Sequence, residues 1–199
     1  MSRTQRILLS LAAVLVWSAP AAAQQGALTI PRNIQQLTDR AETIVRGNVV
    51  SAHIETHPEL GIGMRVVTLK VHETLKGAER DTLVFRQYVW DVRERLESAS
   101  YRKGDEVLLL LIAPSRYGLS SPAGMEQGHF RIARDPEGRR MAVNGHGNAR
   151  LFDGVDAQVA KEGIPLSQAS MHMVQRRRPG PIEVGELTGL IRDLVRGSP

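Results

Sequence analysis

Six consecutive aliphatic residues, Val107-Leu108-Leu109-Leu110-Leu111-Ile112, constrain the fold of this chain more than any other stretch. Gly104-Asp105 precedes the run and Pro114 closes it, so it is strand-sized. A strand sends successive side chains to opposite faces, and an unbroken apolar strand has no polar face to offer water. The run therefore predicts a central strand covered on both sides.

The neighbouring segments supply the rest of a sheet. Thr43 to Thr56 reads as a strand whose apolar alternation changes phase near Gly47, which predicts a bulge there. His57-Pro58-Glu59-Leu60-Gly61 is turn chemistry. Met64 to Leu75 alternates cleanly, with Val67, Leu69, Val71 and Leu75 on one face. Asp81 to Trp90 follows, with Leu83, Phe85 and Val89 together. The charged stretch 91–103 reads as a loop with a helical turn, and 115–127 as irregular. Gly128 to Arg134 and Arg139 to Asn144 flank Asp135-Pro136-Glu137-Gly138, a hairpin turn.

Helical periodicity occurs at the two ends. Ile30, Ile34, Leu37 and Ala41 predict a helix over about 31–41, and Leu187, Leu190, Ile191, Leu194 and Val195 one over about 185–196. Residues 145–181 read as an irregular surface excursion with one short helix near 155–161. Five or six strands bracketed by two helices expose sheet edges unless the sheet curls, and closure into a barrel removes them. The expected class is mainly β (α+β): a small five- to six-stranded antiparallel barrel over 31–144, after a linker at 24–30. The irregular region 145–181 and a helix within 182–199 that packs on the barrel complete the division.

Residues 1–23 read as a secretory signal peptide. Arg3 and Arg6 form the positive n-region, Ile7 to Trp17 the apolar stretch, and Ala21-Ala22-Ala23 a cleavage site between Ala23 and Gln24. Export is the expectation, to the periplasm first and the extracellular space second. Cleavage leaves 176 of the 199 residues and lowers the net charge from +5 to +3, well short of the dense charge of a nucleic-acid binder. The chain contains no cysteine, so packing must do what disulfides do in many small exported domains. The same absence removes thiol catalysis, iron–sulfur clusters and cysteine-based zinc sites.

Several strand segments carry recognisable motifs. Ala41-Glu42-Thr43-Ile44-Val45-Arg46-Gly47-Asn48-Val49 resembles the opening A-D-x-I-V-x-G-x-V of a group of exported bacterial proteins. Thr68 to Gly77 resembles their second strand. Lys103-Gly104-Asp105-Glu106 with the leucine run resembles their G-E-x-x-L-L-F-L strand, and Gln127-Gly128-His129-Phe130 their Q-G-x-F strand start. The same order resembles netrin-like modules and tissue inhibitors of metalloproteinases, which implies an OB-like barrel over about 37–144. The inhibitors chelate their target's zinc through an N-terminal cysteine. Here that position falls to Gln24, so their mechanism is not implied.

No catalytic signature stands out. Six histidines raise a metal reading, but His53 and His57 lie on strand and turn, and no HExxH occurs. His146 sits between glycines in a loop. His172, within Met171-His172-Met173, offers a sulfur–imidazole pair of the kind that binds copper. No G-x-S-x-G marks a nucleophilic serine near Ser120-Ser121, and Gly145-His146-Gly147-Asn148 lacks the Lys-Ser/Thr of a phosphate loop. Two surface features remain as a partner-binding surface: the run Arg176-Arg177-Arg178, suited to acidic lipid, lipopolysaccharide or an acidic partner, and the aromatic pair Tyr88 and Trp90 on one strand face. The expected function is a non-enzymatic exported binding module that contacts a secreted protease or another envelope component. It needs no cofactor and no nucleic acid, and makes at most peripheral membrane contact. The alternative is a metal-binding or hydrolytic enzyme using loop histidines.

Overall fold

A computed structural model describes residues 30–89, 101–176 and 178–197. The segment 1–23 expected to be a leader, the expected Ala23–Gln24 cleavage site, Trp90 and Arg177 lie outside them. The chain forms α1 (Ile34–Arg40), β1 (Thr43–Thr56), β2 (Gly63–Lys76), β3 (Thr82–Tyr88), β4 (Glu106–Leu111), β5 (His129–Arg134) and β6 (Arg140–Asn144). Then come α2 (Val155–Glu162), α3 (Gln168–Arg176), β7 (Ile182–Glu183) and α4 (Val184–Gly197). The class is α+β with mostly sheet.

The seven strands form one sheet in the order β3-β2-β1-β4-β5-β6-β7, each pair antiparallel. The leucine run is its middle strand. Leu108 and Leu110 face one apolar layer, while Val107, Leu109 and Leu111 face the other, and all five are at most 3% exposed.

Helices cover the first layer. α4 contributes Leu187, Leu190, Ile191 and Leu194, α1 contributes Ile34 and Leu37, and α2 and α3 contribute Val155, Val159 and Val174. α1 starts at a capping box: Asn33 Oδ1 accepts from Gln36 N–H at 2.9 Å, and Gln36 Oε1 accepts from Asn33 N–H at 3.1 Å.

Among the described residues, the second layer contains no residue of a helix. Val45, Val49, Val67, Leu69, Leu83, Phe85 and Tyr101 pack there against β4. The sheet covers them by curling. β3 and β4 are three places apart in the strand order, which would separate them by roughly 14 Å in a flat sheet. Yet Ser120 reaches both: its N–H donates to Arg86 O at 2.7 Å, and its Oγ donates to Ile112 O at 2.7 Å. The bend begins at the predicted bulge. Register shifts between Arg46 and Gly47, and a Cβ on Gly47 would sit 2.3 Å from Lys70 O, so only glycine allows β2 to approach so closely.

Three expectations need correction. The sheet has seven strands and does not close into a barrel: β3 and β7 are its two ends and do not pair. Closure is unnecessary because the edges are handled separately. The 119–122 segment bridges β3 at Arg86, and β7 is only two residues long. The region 145–181 holds a second helix, α3, as well as the expected short helix α2, although most of its residues remain in turns and loops. α3 has little apolar periodicity and buries only Ser170 and Val174. A polar contact helps hold it instead: Ser170 Oγ donates to Asp193 Oδ2 of α4 at 2.6 Å.

Leu108→Ala and Leu109→Ala, which remove side chains on opposite faces, should each cost about 2–5 kcal/mol in urea denaturation. A loss under about 1 kcal/mol at either position would mean that its face is open to water.

Candidate functional site

The β5–β6 hairpin, the turn that follows it and the segment between α3 and β7 meet at one corner of the sheet. In the hairpin turn Asp135 accepts from Arg139 twice, N–H to Oδ1 at 2.8 Å and Nε–H to Oδ2 at 2.7 Å. Glu137 also lies 3.4 Å from Arg139, so that guanidinium is already neutralised.

After β6 the chain makes a turn locked by two buried asparagines. Asn144 Oδ1 accepts from the N–H groups of His146 and Asn148, and Asn148 Oδ1 accepts from Asn144 N–H at 2.9 Å. Asn148 adopts φ +57°, a left-handed conformation that Asn tolerates better than most residues. Its Nδ2 donates to Ala142 O at 3.0 Å and to Gly180 O at 2.8 Å, while Gly180 N–H donates to Gly147 O at 2.9 Å. These bonds pin Pro179-Gly180-Pro181 as a strap between α3 and β7. Pro fixes φ on either side, and Gly180 supplies the φ of +99° between them.

Strap, helix and strand enclose a cleft of about 420 Å³. Met141, Phe152, Met173 and Ile182 provide apolar walls, and Arg139, Arg176 and Arg178 line it together with His172, Glu183 and Glu186. Arg176 and Arg178 are exposed and form no ion pair with described residues. A shallower groove on the neighbouring side of α3 shares Ala169 and His172 and adds Leu166 and Met171.

The structure thus brings Arg176 and Arg178 together in one cleft. Arg176 ends α3, and Arg178 stands just before the strap, within the region that reads in the sequence as an irregular surface excursion. Tyr88 is not part of this site. It sits half-buried opposite Met64 on β3, the sheet end opposite to β7. The apolar walls escaped sequence reading because Met141, Phe152, Met173 and Ile182 come from four separate segments and share no local pattern.

The histidines are dispersed in role. His57 is buried and structural: its Nδ1 accepts from the N–H groups of Glu59 and Leu60, which leaves Nε2–H to donate to Tyr117 O at 3.0 Å. His53 pairs with Glu55 on the surface, and His72 contacts Asn48. His146 is exposed on the asparagine turn, and His172 lines the cleft. Among the described residues, no three His, Asp or Glu side chains gather as a metal site.

His129 differs from the others. It is 1% exposed and stacked on Tyr101 with ring centroids 4.6 Å apart, and its Nε2 has no partner among the described residues. Burial, followed by the positive charges of Arg131 and Arg65, pushes its pKa down to about 4. Glu126 lies 3.9 Å from Nδ1, but its carboxylate is about half exposed. Hydration weakens that attraction below the cost of burying a cation, so His129 is neutral and the contact is not an ion pair.

No family model matches the chain, and no curated protein is significantly similar to it.

Two outcomes test this geometry. Because His129 titrates lower in the folded chain than in the unfolded one, its contribution to stability is complete above pH 6.5. It falls by about 3 kcal/mol as the pH drops towards 4, where unfolded chains bind a proton that the folded chain refuses. His129→Phe keeps a stacked ring and should flatten that part of the pH–stability curve; an unchanged slope would place the titration elsewhere. Asn148→Ala loses three buried hydrogen bonds and strains the left-handed backbone, for an expected loss of about 2–4 kcal/mol. Asn148→Gly relieves the backbone strain and should lose about 1 kcal/mol less in the same melt.

Proposed function

We propose that this chain is a non-enzymatic binding module exported to the bacterial cell envelope, and that the cleft between α3, the strap and β6–β7 receives another exported protein. One observation carries the reading. Arg176 and Arg178, neither of which pairs with a described residue, line the same cleft as Met141 and Met173, beside a strap whose Gly180 backbone is hydrogen-bonded to Gly147 and Asn148. A strap backbone ordered before binding adds little to the freedom lost on association, which favours a defined ligand over non-specific adhesion.

Export rests on the leader pattern of residues 1–23 and suits a chain without cysteine. The resemblance to netrin-like modules supports a role in contact between proteins. Its motifs fall on β1, β2, β4 and the start of β5, the strands that build the curled part of the sheet. The apolar residues of those motifs lie in the core, so they bear on the fold and leave the partner to the cleft.

The chain and its Arg176→Glu/Arg178→Glu variant, immobilised and exposed to envelope extract, should differ. A partner recovered by the parent chain should fall at least tenfold with the variant, while the two proteins melt at the same temperature. Identical recovery with both proteins would remove the cleft from the function.

A further inference from the structure

We propose that the occupant of the cleft is a short acidic stretch of polypeptide carrying an apolar side chain, an inference that rests on the cleft being the receiving surface. The argument starts from which charges are free. Arg139 is held by Asp135 and Glu137 and so contributes little to recognition. Arg176 and Arg178 have no partner among the described residues. The guanidinium fork matches a carboxylate or a phosphate in two parallel hydrogen bonds, so the missing counterpart is an oxyanion.

The opposite charges decide between the two. Glu183 of β7 and Glu186 in the first turn of α4 line the same cleft, and neither is paired among the described residues. A phosphate-rich headgroup presents acceptors to these carboxylates and is repelled by them. A polypeptide presents carboxylates for the arginines and backbone N–H groups for the glutamates, so it complements both signs at once.

The apolar wall completes the match. Phe152 and Ile182 are buried, whereas Met141 and Met173 are half-buried and present flexible thioether chains. Such a wall accepts one aliphatic or aromatic residue without demanding a particular shape. The volume of about 420 Å³ lies in the range of pockets that enclose small ligands, so it holds a few residues and not the face of a domain.

The test uses three fluorescein-labelled heptapeptides: Gly-Asp-Asp-Leu-Asp-Asp-Gly, the same peptide with serine for leucine, and the same peptide with lysine for every aspartate. Vesicles of phosphatidylglycerol serve as a fourth probe, and fluorescence anisotropy or cosedimentation reports binding. The acidic leucine peptide should bind the parent chain at least tenfold tighter than Arg176→Glu/Arg178→Glu, and at least threefold tighter than the serine peptide binds. The lysine peptide should prefer the charge-reversed variant, a reversal that misfolding does not produce. Equal affinity for leucine and serine peptides, or binding of none of the three, would overturn the inference. Vesicle binding that needs Arg176 and Arg178, without peptide binding, would also overturn it and make the occupant a lipid while leaving the cleft as the site. Loss of the cleft itself would show separately, as envelope recovery indifferent to the two arginines.

Discussion

Burial of β4 on both faces sets the terms for every other element. Leu108 and Leu110 cannot be satisfied unless helices cover one side, and Val107, Leu109 and Leu111 cannot unless something covers the other. Among the described residues helices cover the first side, and β1, β2 and β3 bend over the second until Ser120 joins the edge of β3 to the end of β4. Gly47 is where that bend is sterically permitted. A consequence for function follows. Neither face of the central strands is left for a ligand, so recognition is displaced to the periphery, where β6 and β7 run out and polar chain takes over.

The periphery is held without a covalent cross-link. Gln127 is buried and ties two segments to its own: its Oε1 accepts from Arg32 N–H at 2.7 Å, its Nε2 donates to Ile30 O, and its backbone O accepts from Asn144 Nδ2 at 3.1 Å. Asn144 passes the connection to Asn148, and Asn148 passes it to the strap at Gly180. Each bond contributes only about 1 kcal/mol net, but breaking one strands a buried partner at a cost of about 1–3 kcal/mol. A second tie joins the sheet to α4: Arg46 bridges Glu73 and Glu106, Arg140 also reaches Glu106, and Arg192 reaches Glu73. In a chain with no cysteine, these networks fix the corner that carries the cleft.

The elements legible in the sequence were those whose side chains repeat. β1 and β2 alternate, β4 is uniformly apolar, and α4 has an apolar stripe, so each was placed within a residue or two of its observed ends. α3 was not legible because its hold on the core is Val174, a half-buried Met173 and a serine–aspartate hydrogen bond, too few for a clear stripe. β7 is too short for any period. The barrel expectation failed on a physical assumption, that sheet edges are safe only when joined to each other. At the site, the arginine run was visible but the tie beside it was not, because the partners that pin Gly180, Gly147 and Asn148, lie more than 30 residues away in sequence.

On the proposed reading, the cleft divides steering from holding. Arg176 and Arg178 stand in water at the rim, where their field fades over roughly 8–10 Å at physiological salt. They orient an approaching acidic segment and raise its encounter rate, but contribute little once salt is high. The half-buried Met141 and Met173, set over the buried Phe152 and Ile182, have the opposite character: they exert no force at a distance and gain free energy only when water leaves them. Association is then governed by the two arginines and residence by the wall. A partner that carries only the acidic residues arrives and leaves quickly, whereas one that also carries the apolar residue stays. Discrimination between such partners depends on the strap holding charge and wall in fixed relation, which returns the function of this corner to the asparagine pair that pins it.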